Sequence, residues 1–72
     1  MARPPDIKRL LAKNVRRLRK ARGLSQSALA TDAGQHQYVI SKVENAQLDV
    51  RLETIGRIAA ALGVDPRELF EE

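Results

Sequence analysis

The stretch from Ser25 to Asn45, SQSALATDAGQHQYVISKVEN, constrains this chain more than any other part of it. It reads as two short helices joined by a tight glycine turn. Ser25 is an N-cap residue type, because its hydroxyl can accept from a free amide of the first turn. Leu29, Ala30 and Ala33 give the first helix one small apolar face. Gly34 follows, and a glycine just past a helix can adopt the left-handed conformation that ends it. Val39, Ile40 and Val43 then resume the helical spacing. At about 100° per residue these three point to one side of the second helix, while Gln37, Tyr38, Ser41, Lys42 and Asn45 point to the other. That outer face carries amide, hydroxyl and ammonium groups and no carboxylate. Such groups can meet base edges in a DNA major groove, where glutamine suits adenine and lysine suits guanine. An ordinary solvated helix presents the same face, and this helix alone does not separate the two.

The chain has 72 residues, which predicts one small domain whose apolar residues share a single core. An apolar fraction of 43% is enough to build it. The absence of cysteine excludes a disulfide framework and a thiolate metal site, and it fits a cytoplasmic protein. No apolar run approaches the ~20 residues that span a bilayer. The start MARPPD lacks the apolar stretch of a secretory signal, so no membrane partner is expected. The net charge of +4 is divided unevenly. Nine of the 13 Lys and Arg lie in residues 1–22, with Asp6 as the only acid there, while residues 23–72 hold the other eight acids. The basic half suggests an anionic polymer as partner. A basic helix face that serves solubility alone would give the same count.

Two prolines and no periodicity predict a flexible tail over 1–5, ahead of one domain over 6–72. Asp6 is placed to cap a first helix over about 6–22, with Ile7, Leu10, Leu11, Val15, Leu18 and Ala21 as its apolar stripe and Gly23 closing it. Arg19 lies at the border of that stripe, where its stem can be buried and its guanidinium turned inward. Glu44 lies at the corresponding edge of the 36–45 helix, so spacing permits an Arg19–Glu44 pair. In the loop 46–50, Leu48 and Val50 are expected to pack in part. A fourth helix over about 51–62 has Leu52, Ile55, Ile58, Ala59 and Leu62 on one face, with Glu53 and Arg57 paired opposite and Gly63 at its end. Asp65-Pro66-Arg67-Glu68 is a strong start signal for a short fifth helix carrying Leu69 and Phe70. No repeat or strand-like alternation appears, so the expected fold is all-α with five helices.

Leu24-Ser25-Gln26, Leu29-Ala30, Ala33-Gly34 and Ile40-Ser41-Lys42-Val43-Glu44-Asn45 together resemble the helix-turn-helix domain of the Cro/C1-type (XRE family) repressors. Leu52-Glu53-Thr54-Ile55, the run from Ile58 to Val64 and Glu68-Leu69-Phe70 match the same family. The resemblance covers about residues 7–70. It implies a compact lambda-repressor-like domain with the helix-turn-helix at its second and third helices, the second crossing the DNA backbone and the third lying in the major groove. It also assigns roles. Gln26 falls where the family contacts a phosphate. His36, Gln37, Tyr38, Ser41 and Lys42 fall where it reads bases or adjacent phosphates. Asn45 falls at the end of the reading helix, near phosphate. Arg19 and Glu44 fall where many members hold a buried ion pair, whose role would be orientation. Four positions depart from the pattern: Gln35 is commonly apolar, His36 is commonly Ser, Thr or Asp, Tyr38 is commonly smaller, and Ala46 replaces a glycine. With Ala46 there, Asn45 is expected to take the left-handed conformation.

Each residue also has a plainer role. His36, the only histidine, has no clustered ligands for a metal and no nucleophile partner or pocket for catalysis, which leaves a first-turn DNA contact, a solvated cap or a pH switch. Tyr38 can pack on a thymine methyl or simply lie exposed. The basic face of the first helix is expected to be mainly solvated, though Arg16, Arg17 and Lys20 could face a partner. No paired carboxylates, nucleophile–base set or phosphate-cradling loop is visible, so no enzyme and no cofactor is expected. RNA binding by stacking is disfavoured, because Tyr38 and Phe70 are the only aromatics. The expected function is a sequence-specific regulator, in the manner of a repressor, that binds double-stranded DNA as a homodimer on a pseudo-palindrome. Leu48, Val50, Val64, Leu69 and Phe70 are the candidates for its dimer surface, with some of them expected to fill the core instead. Two alternatives are an antitoxin that neutralises a toxin or other protein partner, and a controller protein of a restriction–modification system.

Overall fold

Asp6 caps the first helix as its position predicts: its carboxylate accepts from the Arg9 amide at 3.1 Å. In this computed structural model, which describes residues 6–72, α1 then runs over Ile7–Ala21, α2 over Gln26–Asp32, α3 over Gln37–Glu44 and α4 over Leu52–Leu62. The tail expected over 1–5 lies outside the described residues. Among those residues there is no strand. The fifth element is a correction to the sequence expectation, because Pro66–Phe70 is a 3₁₀ helix rather than an α-helix. Its start has the predicted capping box: the Asp65 carboxylate accepts from the Arg67 amide at 2.9 Å, and the Glu68 carboxylate accepts from the Asp65 amide at 2.9 Å. Its end is taken elsewhere. The Asn14 side-chain amide donates to the carbonyls of Leu69 and Glu71 at 3.0 and 2.8 Å, so those groups are held by α1 and not by a further helical turn.

One core joins all five elements. Leu11 and Val15 of α1, Leu29 and Ala30 of α2, Ile40 and Val43 of α3, Ile58, Ala59 and Leu62 of α4, and Leu69 of the 3₁₀ helix are all buried. α2 packs on α3 and α4, and α1 packs on α3 and on the 3₁₀ helix. Burying a side chain of this size stabilises by roughly 1.5–3 kcal/mol before conformational entropy is subtracted. Three apolar expectations fail at the margins. Ile7 and Ala21 are exposed, because they sit in the end turns of α1, while Ala12 and Asn14 are buried instead. Leu52 is 86% exposed, because it occupies the first turn of α4, ahead of the part that meets α2. Of the residues left open between core and dimer surface, Leu69 is in the core.

All four α-helices end in the same way. Within two residues of the end of each one, a single residue adopts φ between 56° and 70°, and two backbone hydrogen bonds close the last turn. For α3 these bonds are Ala46 N–H to the Val43 carbonyl at 3.1 Å and Gln47 N–H to the Lys42 carbonyl at 2.9 Å, the Schellman pattern. After α1, α2 and α4 the left-handed residue is Gly23, Gly34 and Gly63. After α3 it is Ala46, at φ 56°, and not Asn45, which stays at φ −99°. The register of the closing bonds decides this. With Glu44 as the last helical residue, Asn45 is the half-helical cap and Ala46 falls where the chain must reverse. Gln35, polar where the family is commonly apolar, is half-buried and folds back, with its amide nitrogen 3.4 Å from the Ala33 carbonyl.

An alanine in the left-handed region costs about 1–2 kcal/mol, and the greater freedom of glycine in the unfolded chain offsets about 0.4–1 kcal/mol of the relief. Ala46→Gly should therefore stabilise the fold by roughly 0.5–1 kcal/mol. Urea unfolding would measure this, and an unchanged or lower midpoint would count against a strained Ala46.

Candidate nucleic-acid interface

The Ser25 hydroxyl caps α2 by accepting from the Ala28 amide at 2.9 Å. Leu29, Ala30 and Ala33 then anchor α2 in the core, and Gly34 turns the chain into α3. Ile40 and Val43 are buried and Val39 is half-buried, so α3 is held by its apolar side. The opposite side is open: His36, Gln37, Tyr38, Lys42 and Asn45 are exposed, and Ser41 is half-buried. The tertiary structure thus brings six of the seven expected contact residues onto one outward face with no free carboxylate.

Position 36 lacks a capping side chain, and His36 makes no cap hydrogen bond. Its imidazole instead stacks on the Tyr38 ring, with centroids 5.7 Å apart and planes 13° from parallel, an offset-stacked arrangement. The two departures from the family pattern at 36 and 38 are therefore linked. They form one aromatic ledge at the leading end of α3.

Gln26, the seventh expected contact, is placed differently. Its side-chain amide nitrogen donates inward to Glu44 at 3.1 Å. An amide nitrogen has two N–H donors, so one remains for an outside acceptor.

Glu44 organises this end of the molecule. Its side chain is 0% exposed and Arg19 is 12% exposed. Arg19 Nε donates to Glu44 Oε2 at 2.6 Å and Arg19 Nη2 donates to Oε1 at 2.9 Å, a bidentate pair. Arg19 Nη1 also donates to the Leu24 carbonyl at 2.8 Å, which ties the α1–α2 loop to the same guanidinium. Burial pushes the Glu44 carboxyl up, but the hydrogen bonds from Arg19, Gln26 and Arg16 outweigh it and hold the group below its ordinary value of 4.5. The Arg19–Glu44 pair expected from helix angle and resemblance is present. Arg16, expected on the solvated face of α1, adds a further donor, with Nε 3.4 Å from Glu44 Oε1. Its three-residue spacing from Arg19 is a signal that could have revealed it. Asn14 had no such signal, because the carbonyls it binds lie 55 and 57 residues away in sequence.

Among the described residues, no group of His, Cys, Asp and Glu is arranged to hold a metal ion, and no helix is long and apolar enough to cross a membrane.

Residues 15–69 match a protein family described as helix-turn-helix. The chain is 41% identical over 65 residues to control protein C.SmaI of Serratia marcescens, an alignment covering 90% of this chain and 77% of the relative. It is 34% identical over 67 residues to control protein C.BamHI of Bacillus amyloliquefaciens, covering 92% and 83%. Its fold superimposes on the crystal structure of the restriction-modification controller protein C.AhdI of Aeromonas hydrophila with a TM-score of 0.85 and 40% identity, covering 88% of this chain and 96% of that one.

Glu44→Ala should destabilise the fold by about 3 kcal/mol, the lower end of the range for breaking a buried pair, since Arg19 keeps the Leu24 carbonyl. A loss under about 1 kcal/mol in urea would mean that the pair contributes orientation alone. Because the folded pKa of Glu44 is lowered, its stabilisation is complete above the unfolded value and is lost as pH falls through the folded one. The wild-type chain should accordingly lose stability on acidification below about 4.5, and Glu44→Ala should lose less over that window.

Proposed function

This chain belongs to the helix-turn-helix family of DNA-binding transcription regulators, and on that premise we propose that it reads duplex DNA with the outward face of α3. Gln37, Ser41 and Lys42 meet base edges in the major groove, His36 and Tyr38 lie at the entry of α3, and Asn45 lies near the backbone at its exit. Gln26 reaches the backbone from α2 with the N–H that Glu44 leaves free. The observation that carries this reading is the composition of the exposed face: donors and acceptors in helical register, with the one carboxylate of α3 turned inward and neutralised.

A single eight-residue helix spans few base pairs, so a homodimer on a pseudo-palindrome is the arrangement that supplies enough contacts. The two reading helices would then lie about 34 Å apart, one turn of the duplex. The second copy covers the exposed Leu52 and Ile7, which flank an open apolar groove formed with Leu48, Val50, Ile55 and Phe70. Lys8 and Asp49, paired at 3.1 Å, form a polar rim to that groove. The controller relatives further support the finer reading of a restriction–modification controller over an antitoxin. A chromosomal neighbourhood without a restriction endonuclease or methyltransferase gene would speak against it.

Selection of bound sequences from a random duplex library tests the main reading, and it should return a two-fold motif. Against the selected duplex, Gln37→Ala and Lys42→Ala should each weaken binding by ~1–3 kcal/mol, whereas equal loss on mixed-sequence DNA would assign the residue to phosphate. Leu52→Glu places a carboxylate in the first turn of α4, where it favours the helix, so the protomer should still fold. In sedimentation it should weaken dimerisation roughly tenfold or more, and an unchanged dimer would locate the interface elsewhere.

A further inference from the structure

Three donors converge on one oxygen of Glu44. Oε1 accepts from Arg19 Nη2 at 2.9 Å, from Gln26 Nε2 at 3.1 Å and from Arg16 Nε at 3.4 Å. The site therefore holds two guanidinium groups and one carboxylate, which leaves one positive charge in excess. Arg19 lies inside, so the excess is presented to solvent by Arg16, whose side chain is 48% exposed. Only Nε of Arg16 is engaged. Its two terminal nitrogens meet no acceptor among the described residues.

The place matters as much as the charge. By sharing an acceptor, Arg16 is held beside Gln26, the first residue of α2, and beside Glu44, the last residue of α3. Those two helix ends meet at the trailing end of α3, beside its outward face. A guanidinium held there on one edge has its other edge free for a paired acceptor, and a phosphodiester supplies two oxygens in that geometry. Arg9, Lys13 and Arg17 of α1 have no comparable tether to α3.

We infer that Arg16 contacts a backbone phosphate of bound duplex DNA, so that α1 adds a third anchoring element to α2 and α3. Glu44 acts here through Arg16, fixing its direction without touching DNA. The inference rests on the DNA-binding reading above.

The test is the salt dependence of binding to the selected duplex and to a mixed-sequence duplex, for wild type, Arg16→Ala, Arg16→Lys and Arg67→Ala. Arg67 loses the same charge but is paired with Asp65 on the 3₁₀ helix, away from α3. Arg16→Ala should reduce the slope of log K against log salt by about 0.9, which corresponds to roughly an 8-fold weaker complex at about 0.1 M salt relative to 1 M. The loss should be equal on both duplexes, the melting temperature should stay near wild type, Arg16→Lys should recover most of the slope, and Arg67→Ala should not change it. Equal slope losses for Arg16→Ala and Arg67→Ala would overturn the inference in favour of a diffuse charge effect. A loss confined to the selected duplex would overturn it in favour of a base contact, and an unchanged slope would overturn it outright. If the wild-type chain binds neither duplex, it is the underlying DNA-binding reading that fails.

Discussion

Glu44 is the residue on which the geometry of this molecule turns. A carboxylate with no exposed surface is costly to bury, and here it is accepted because Arg19 grips both of its oxygens while Gln26 and Arg16 add two further donors to Oε1. The consequence is positional. Arg19 belongs to α1, Gln26 to α2 and Glu44 to α3, so a single ionic knot sets three helices relative to one another. The apolar core could tolerate small sliding of α3, since Ile40 and Val43 pack without direction. Hydrogen bonds at 2.6 and 2.9 Å do not tolerate it. The knot lies at the trailing end of α3, and the outward face that begins at His36 is aimed by it.

The helix ends give the second constraint. Four short helices must reverse within a few residues of stopping, and each does so through one left-handed residue and the same pair of closing bonds. At Gly63 a Cβ would also come within 2.6 Å of Arg22 Nη1, so the exposed Arg22 side chain would have to swing off the Leu62 carbonyl to which it donates at 2.6 Å. At Ala46 the backbone takes the same conformation with a methyl group present. α3 thus ends on the one strained turn of the set. That turn also starts the loop whose Leu48 and Val50 line the apolar groove, so the end of α3 and the proposed dimer surface share a short piece of backbone.

The two surfaces differ in chemistry as their proposed partners require. Around α3 the exposed groups are polar or cationic, with Arg16 adding charge at the boundary with α1 and α2. Around the groove between α1, the 46–51 loop and α4 the exposed groups are Ile7 and Leu52, with a Lys8–Asp49 rim. A polyanion suits the first and an apolar copy of the same chain suits the second.

Sequence by itself determined the helices, their starts at Asp6, Ser25 and Asp65, the turn at Gly34 and the split of α3 into an apolar and a polar face. These depend on neighbours within one or two turns, and such relations are legible as spacing. It also made the Arg19–Glu44 pair foreseeable, because both residues lie at stripe edges. Tertiary structure alone decided which residues at helix ends are covered: Asn14 is buried by carbonyls far along the chain, while Leu52 and Ile7, apolar and in register, find no neighbour. It decided that Gln26 turns inward, that Arg16 joins the ionic knot, that Ala46 and not Asn45 reverses the chain, and that the last element tightens to a 3₁₀ helix. Periodicity fixes the direction of a side chain from its own helix axis. Burial and hydrogen-bond partners depend on what the other helices place in that direction, and one helix's spacing carries no record of that.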